Sequence, residues 1–138
     1  DSGLTVKALQ GAPGVFSSRF AGENADDDAN NRKLLAEMEG VLDRTAAFIC
    51  VLAIAVPRGP ALIYEGACEG MIAVAPKGDL GFGYDPFFYY PPLQKTFAQL
   101  ALEEKNRISH RGKAMAELRG ELDKVIRWLK QRLKEEPF

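Results

Sequence analysis

The sequence has no excess charge of either sign, and this balance excludes several classes of function. Its 18 Lys and Arg residues face 19 Asp and Glu residues, for a formal net charge of -1. A surface for nucleic acid or anionic lipid usually needs a clear basic excess, so we expect neither partner. The 138 residues, 46% hydrophobic and 27% charged, predict one folded domain over residues 1–138.

Cysteine, histidine and long apolar runs are also scarce. Cys50 and Cys68 match no metal-ligand spacing and lie in apolar stretches, which predicts free buried thiols and a cytoplasmic location. The longest apolar run, residues 45–57, is shorter than the ~20 residues of a membrane-spanning helix, so we expect no membrane partner. His110 is the single histidine, which excludes a catalytic histidine pair.

Three common catalytic signatures are missing. The chain has no Gly-Lys-Ser/Thr phosphate loop, no Gly-x-Ser-x-Gly nucleophile turn and no His-Glu-x-x-His zinc motif. These absences leave P-loop nucleotide hydrolysis, serine hydrolysis by that turn and zinc proteolysis unsupported.

Hydrophobic periodicity predicts an α/β fold with a mixed sheet of long, bent antiparallel strands flanked by helices. A short strand or turn is expected at residues 4–8. Residues 44–56 pair with residues 61–75 around the Pro57-Arg-Gly-Pro60 turn, and Gly66 marks a bend. Residues 76–92 are expected to form an aromatic-rich loop that lines a pocket.

Three helices are expected. The first runs from about Asp26 to Glu39, where the acidic run Asp26-Asp-Asp28 is interpreted as capping rather than metal binding. The second runs from Thr96, its cap, to Lys105. The last is one amphipathic helix ending near Lys134, and its apolar stripe consists of Ala114, Leu118, Leu122, Val125, Leu129 and Leu133.

Three segments could carry chemistry. Asp1-Ser-Gly3 puts a carboxylate and a hydroxyl beside a glycine, which suits Mg²⁺ or a water molecule but equally an ordinary turn. Glycines flank Phe82 in Gly81-Phe-Gly-Tyr-Asp-Pro86, so the ring could stack on a base or simply fill the core. Lys105 and Ser109-His-Arg111 supply cations for phosphate oxygens, or else form a solvated interhelical turn.

Taken together and in this order, these segments resemble the inosine-triphosphate pyrophosphatase family. The resemblance extends over nearly the whole chain up to the last helix. The stretches that carry it include Asp1-Ser-Gly-Leu4, Gly11-Ala-Pro-Gly14, Arg44-Thr-Ala-Ala-Phe48, Pro76-Lys-Gly78, Gly81-Phe-Gly-Tyr-Asp-Pro86, Lys105-Asn106 and Ser109-His-Arg-Gly112.

The resemblance implies Mg²⁺-dependent hydrolysis of ITP, dITP and XTP to the monophosphate and pyrophosphate by a homodimer. It implies that Asp1 is the catalytic carboxylate and a metal ligand, with Ser2 as a substrate contact beside it. The remaining substrate contacts that it implies are Phe82, Gly83, Tyr84, Asp85, Lys105, His110 and Arg111. A donor facing the purine O6, from His110 or Arg111, would disfavour adenine.

Two departures from the family pattern are visible. Gln99 stands where the family usually has Glu, which affects one local hydrogen bond. The family's Gly-Asn-x-x-Lys phosphate loop and second metal-binding Glu are not among these residues, so we expect the chain to be the C-terminal portion of such a domain. The alternative is a nucleotide-binding or interaction module without catalysis.

Overall fold

Two long antiparallel strands form the centre of the fold. The computed structural model describes residues 1–135, and these two strands are β2, Thr45–Ile54, and β3, Leu62–Ile72. Their register is unbroken from Thr45 opposite Met71 to Ile54 opposite Leu62. Alternate β3 residues are buried, as expected when one face of a sheet covers a core and the other faces water.

Three shorter strands complete a sheet whose described pairings are all antiparallel. They are β1, Ser2–Val6, beside β2, and then β4, Phe88–Tyr90, and β5, Lys95–Thr96, beyond β3. The order is therefore β1-β2-β3-β4-β5. Helices flank this sheet, so the predicted α/β class with long antiparallel strands is confirmed.

Four α-helices lie in the described part of the chain: α1, Asp27–Glu37, α2, Leu102–Ile108, α3, His110–Gly120, and α4, Leu122–Glu135. Short 3-10 turns join the other elements. None of the helices within residues 1–135 combines the length and the apolar character needed to cross a bilayer.

One aromatic cluster forms the middle of the core. The ring centroid of Phe48 lies 4.4 Å from that of Phe88, and the ring of Phe97 meets Phe88 edge-on at 4.8 Å. Phe88 and Phe97 are completely buried. Such tilted contacts are the favoured geometry for aromatic pairs, and they join β2 to β4 and to the turn that precedes α2.

The structure adds a second role to Gly66, where the sequence predicts a bend: β3 and its pairing with β2 continue through this residue without interruption. Gly66 and Gly70 allow close packing of other elements against the strand. A Cβ atom at Gly66 would lie 2.2 Å from the carbonyl oxygen of His110, and one at Gly70 would lie 2.5 Å from that of Tyr89. These glycines are therefore required by the approach of α3 and β4.

Two helix predictions also need correction. The stripe after Ala114 lies on two helices, because the chain turns at Glu121 directly after Gly120, a weak helix former. The segment after Thr96 is a single 3-10 turn, and α2 begins only at Leu102. The N-terminal capping by Asp26 is confirmed, since its carboxylate accepts from the Ala29 amide at 2.8 Å.

The aromatic-rich segment contains more regular structure than predicted. Residues 88–90 form β4 inside the segment 76–92, which the sequence predicts to be a loop. The strand β5 follows it at residues 95–96. Gln99 keeps its local hydrogen bond, because its side-chain oxygen accepts from the Thr96 amide at 2.9 Å. The single domain over 1–138 stays a prediction, and residues 136–138 lie outside the described part.

Replacing Gly112 tests how closely α2 and α3 pack. A Cβ atom there would lie 1.7 Å from the Asn106 carbonyl oxygen, whereas one at Gly120, in the same helix, would meet nothing within 4 Å. We expect Gly112→Ala to lower the free energy of unfolding by about 1–3 kcal/mol, the usual range for overpacking. Gly120→Ala is the matched control and should be neutral or slightly stabilising. Urea unfolding measures both, and equal effects would contradict the packing.

Candidate functional site

A cavity of about 320 Å³ lies between β1, α1, the loop before β4, and the junction of α2 and α3. Its lining residues are Ser2, Gly3, Leu4, Ser17, Ser18, Asp27, Asn30, Phe48, Phe82, Gly83, Tyr84, Asp85, Leu102, Lys105, Asn106, Ser109, His110 and Arg111. All of the predicted site residues except Asp1 are among them. Asp1 immediately precedes Ser2, so the fold brings three segments that are far apart in sequence to one place.

Asp85 holds the loop of residues 81–85 that carries Phe82, called the Phe82 loop below. One carboxylate oxygen, Oδ2, accepts from the Phe82 amide at 3.0 Å and from the Lys105 ammonium at 2.5 Å. Asp85 is only 3% exposed. The residue that follows the glycine-rich turn is therefore engaged inside the protein, where its charge is compensated by a lysine.

Lys105 pairs with Asp85 and also faces two rings. Its ammonium lies 4.6 Å from the ring centroid of Phe82 and 5.9 Å from that of Phe97. A cation over an aromatic face is attracted by the ring quadrupole, so the lysine helps to orient a Phe82 side chain that is otherwise 60% exposed.

Arg111 connects the N-terminal segment at Ser2 to the loop that carries Phe82. It is the second residue of α3, and its Nε donates to the Ser2 hydroxyl at 3.2 Å. Its guanidinium carbon lies 5.4 Å from the centre of the Phe82 ring. The Ser109 hydroxyl caps α3 by accepting from the Gly112 amide at 3.1 Å. A cation at a helix N-terminus is unfavourable by itself, so this arrangement suits an anionic ligand.

His110 is a buried, neutral member of the cavity wall. Its ring stacks on Phe48 with centroids 4.8 Å apart. Burial, followed by the charges of Arg111 and Lys105, lowers the His110 pKa from the usual 6.5 to about 4. Its Nδ1 is buried and has no hydrogen-bond partner within residues 1–135.

Ser17 is a structural link that the sequence did not reveal as part of the site. Its hydroxyl accepts from the Leu4 amide at 2.9 Å and donates to the Gly14 carbonyl at 2.6 Å. Its own carbonyl accepts from the Tyr84 hydroxyl at 2.6 Å. Ser17 thus joins β1 to the Phe82 loop. It is one serine among several small residues, and no local pattern distinguishes it.

Asp27 and Asn31 also contact the Phe82 loop and were missed for a different reason. The Gly83 amide donates to the Asp27 carboxylate, and the Asn31 side-chain amide donates to the Gly83 carbonyl, each at 2.9 Å. The helix-capping interpretation of the acidic run accounted for Asp26 but concealed this contact, which crosses more than 50 residues of sequence.

A larger and more open cavity, of about 740 Å³, lies on another side of α1, and none of the predicted site residues line it. Arg44, which lines it, donates to the carbonyls of Met38, Val41, Ile72 and Ala73. Its guanidinium therefore already has backbone acceptors. Across residues 1–135 no three His, Cys, Asp or Glu side chains lie together as a metal cluster.

The fold and the smaller cavity define an α/β protein with a ligand site in which an exposed aromatic ring, two cations and a neutral histidine converge. Comparison with known proteins names its relatives. The model of the Ham1 family matches residues 1–121. The chain belongs to the Ham1 family.

Named relatives agree with this assignment. The chain is 59% identical, over 99% of its length, to a dITP/XTP pyrophosphatase of Syntrophobacter fumaroxidans, and 58% identical, over the same share, to one of Desulfotalea psychrophila. It covers 59% and 61% of those proteins. Among solved structures, the Staphylococcus aureus Ham1 protein matches with a TM-score of 0.87 and 46% identity, over 91% of this chain and 65% of that one.

The energetic weight of the Lys105–Asp85 pair can be measured by removing one partner. Lys105→Met leaves the Asp85 carboxylate buried without a cation, so the free energy of unfolding should fall by about 3–5 kcal/mol. Adding Asp85→Asn should restore part of that loss, because no buried charge then remains. The control is Lys7→Met, which breaks a pair with Asp43 whose side chains are 72% and 51% exposed, and it should change the free energy of unfolding far less, because water screens this pair.

Urea unfolding of the wild type, Lys105→Met, Asp85→Asn, the double variant and Lys7→Met gives these differences. Equal losses for the buried and the exposed pair, or a double variant as unstable as the sum of its single changes, would contradict the assignment.

The pKa of His110 predicts a pH dependence that can be followed directly. Because the folded-state pKa is about 4 and the unfolded value is 6.5, the unfolded chain binds more protons between these values. The contribution of His110 to the free energy of unfolding is therefore fully present above pH 6.5. It decreases by about 3 kcal/mol as the pH falls toward 4. The imidazole C2–H proton resonance should titrate near pH 4 in the native protein and near pH 6.5 in urea. A native midpoint near 6.5 would refute the burial.

Proposed function

We propose that the intact protein hydrolyses the non-canonical purine nucleoside triphosphates ITP, dITP and XTP to the monophosphate and pyrophosphate. One observation carries the proposal: Ser2, Phe82, Lys105, His110 and Arg111, from three distant segments, meet around one cavity beside Asp1. The names of the relatives, dITP/XTP pyrophosphatases, supply the substrate class. Because the chain spans about three fifths of their length, the activity is proposed for the intact protein.

The base binds at the Phe82 end of the cavity. An exposed ring of this kind stacks on a purine face, and such stacking tolerates different bases. Selection must then come from hydrogen bonds to the base edge. The His110 imidazole and the Arg111 guanidinium, which both line the cavity, are the candidates for that purpose. A protein donor that faces position 6 of the purine can donate to the O6 of a 6-keto purine. With adenine the same donor stays unpaired, because the amino group at that position cannot accept a hydrogen bond from it.

The phosphates bind toward Asp1 and Ser2. Arg111, whose Nε reaches the Ser2 hydroxyl, supplies a cation at this end. The Asp1 carboxylate suits Mg²⁺, which prefers oxygen ligands and commonly binds through one or two carboxylates, substrate phosphates and water. When bound, Mg²⁺ neutralises charge on the phosphate oxygens.

Asp1 also orients the attacking water. The water oxygen forms a bond to the α-phosphorus, the bond to the bridging oxygen of the β-phosphate breaks, and pyrophosphate leaves. The proton of the water passes to the Asp1 carboxylate and then to solvent. The protein forms no covalent intermediate in this scheme, so positioning and charge supply the rate increase.

The proposal includes a cytoplasmic homodimer. The buried free thiols of Cys50 and Cys68 suit a reducing compartment. Ile49, Ile63 and Met71 are partly exposed on the outer face of β2 and β3, where a second copy would cover them.

The test is turnover by the intact protein of ITP, XTP, ATP and GTP with Mg²⁺. ITP and XTP should be hydrolysed in strong preference to ATP. Asp1→Asn should lower kcat by about 10²-fold or more, the scale of losing a general base, while the Kd for IMP changes little. Asp28→Asn, which alters a carboxylate outside the cavity, is the matched control and should retain wild-type turnover.

Equal turnover of ITP and ATP would contradict the proposed selectivity, and an unchanged kcat in Asp1→Asn would contradict the role of Asp1. Binding of IMP without any hydrolysis would favour the alternative of a binding module.

A further inference from the structure

Phe82 is 60% exposed, and little packing holds its ring in place. Lys105 and Arg111 face the ring, and its position also depends on how the backbone of the loop is held. We infer that Asp27 and Asn31 of α1 are positioning residues, which fix the Gly83 peptide and so place the Phe82 ring for the purine base. The inference rests on the proposed function and adds two residues to it.

Asp27 and Asn31 hold Gly83 from both sides. The Asp27 carboxylate accepts from the Gly83 amide, and the Asn31 side-chain amide donates to the Gly83 carbonyl, both at 2.9 Å. The two residues are four positions apart, so they lie on the same face of the helix. A single rigid element therefore contacts both polar groups of this glycine.

The loop needs such support because its backbone is unusual. Gly81 and Gly83 have positive φ angles of 72° and 61°, on either side of Phe82. Asp85 holds the Phe82 amide at 3.0 Å. With the contacts from α1, the amide of Phe82 and both polar groups of Gly83 are occupied, which fixes the backbone from which the Phe82 ring projects.

Helix capping does not explain either contact. Asp26 is the capping residue of α1, since its carboxylate accepts from Ala29, so the carboxylate of Asp27 is not needed there. Asn31 lies in the second turn of α1, and its Oδ1 is buried without a hydrogen-bond partner within residues 1–135. A buried unpaired oxygen is unfavourable. Its retention is consistent with the other end of the amide being required at Gly83.

Residues that act through Phe82 should affect binding of the base more than the chemical step. The stacked ring contacts the base in both the ground state and the transition state, so losing its position raises KM and leaves kcat nearly unchanged. Neither variant should weaken binding more than removal of the ring itself does.

The experiment compares Asp27→Ala and Asn31→Ala in the intact protein. The Kd for IMP and the KM for ITP should rise about tenfold, on the scale of a weakened base–aromatic stack, with kcat within about twofold of wild type. Asp27→Asn retains an oxygen acceptor for the Gly83 amide and should restore most of the affinity. Asp28→Ala removes the same charge one residue away, outside this cavity, and should bind as wild type does.

The same substitutions are then made in Phe82→Ala protein. If Asp27 and Asn31 act through the ring, neither change should raise the Kd for IMP further. Additive losses in that background would overturn the inference, as would a fall in kcat with unchanged KM, or equal effects of Asp27→Ala and Asp28→Ala. Melting temperatures measured alongside identify a variant that has simply lost stability, and Asp27→Asn then decides.

The two hypotheses fail in different ways. Turnover of ITP by the wild type with no change of KM or Kd in the variants contradicts this inference alone. No turnover, with IMP binding that weakens in the variants and not further in Phe82→Ala, contradicts the proposed function alone. If IMP does not bind at all, both are wrong.

Discussion

The buried ion pair between Lys105 and Asp85 is the interaction on which the rest of the site depends. It joins α2 to the Phe82 loop, and the same carboxylate oxygen also holds the Phe82 amide. A buried pair of this kind need not stabilise the folded protein overall, because removing two charges from water is costly. Removing only one partner lowers the free energy of unfolding strongly, because the other charge is then buried without a counter-ion. The pair therefore selects one arrangement of loop and helix, and it places an ammonium against the Phe82 ring.

The close packing of α3 explains why two adjacent side chains behave differently. Gly66 on β3 and Gly112 on α3 allow the helix to approach the sheet and α2 at distances that a Cβ atom would prevent. His110 is thereby buried against Phe48 and stays neutral, whereas the head of Arg111 remains charged between Ser2 and the Phe82 ring. The cavity wall thus combines a neutral imidazole with a guanidinium group.

Much of the fold was predictable, because the relevant signals are local. Two apolar runs on either side of the Pro57–Pro60 turn indicated the β2–β3 hairpin, and the acidic cap indicated α1. The features that were missed depend on distant contacts. The need for glycine at position 66 of β3 comes from the close packing of α3, more than 40 residues later. The short strands β4 and β5 form because β4 pairs with β3 and β5 pairs with β4. They contain three and two residues, which is too few to show a hydrophobic periodicity.

The sequence by itself determined the family: the motifs at Asp1, Phe82, Lys105 and Arg111 are typical of it, because residue types and spacing are kept in the linear order, and the Ham1 family model matches residues 1–121. Only the tertiary structure decided which of these residues are buried, paired or uncharged. It placed Asp85 in an internal ion pair and removed the charge of His110 by burial. It also brought Asp27 and Asn31 to Gly83. Burial and hydrogen bonding between distant residues depend on the packed fold, and local sequence carries no record of them.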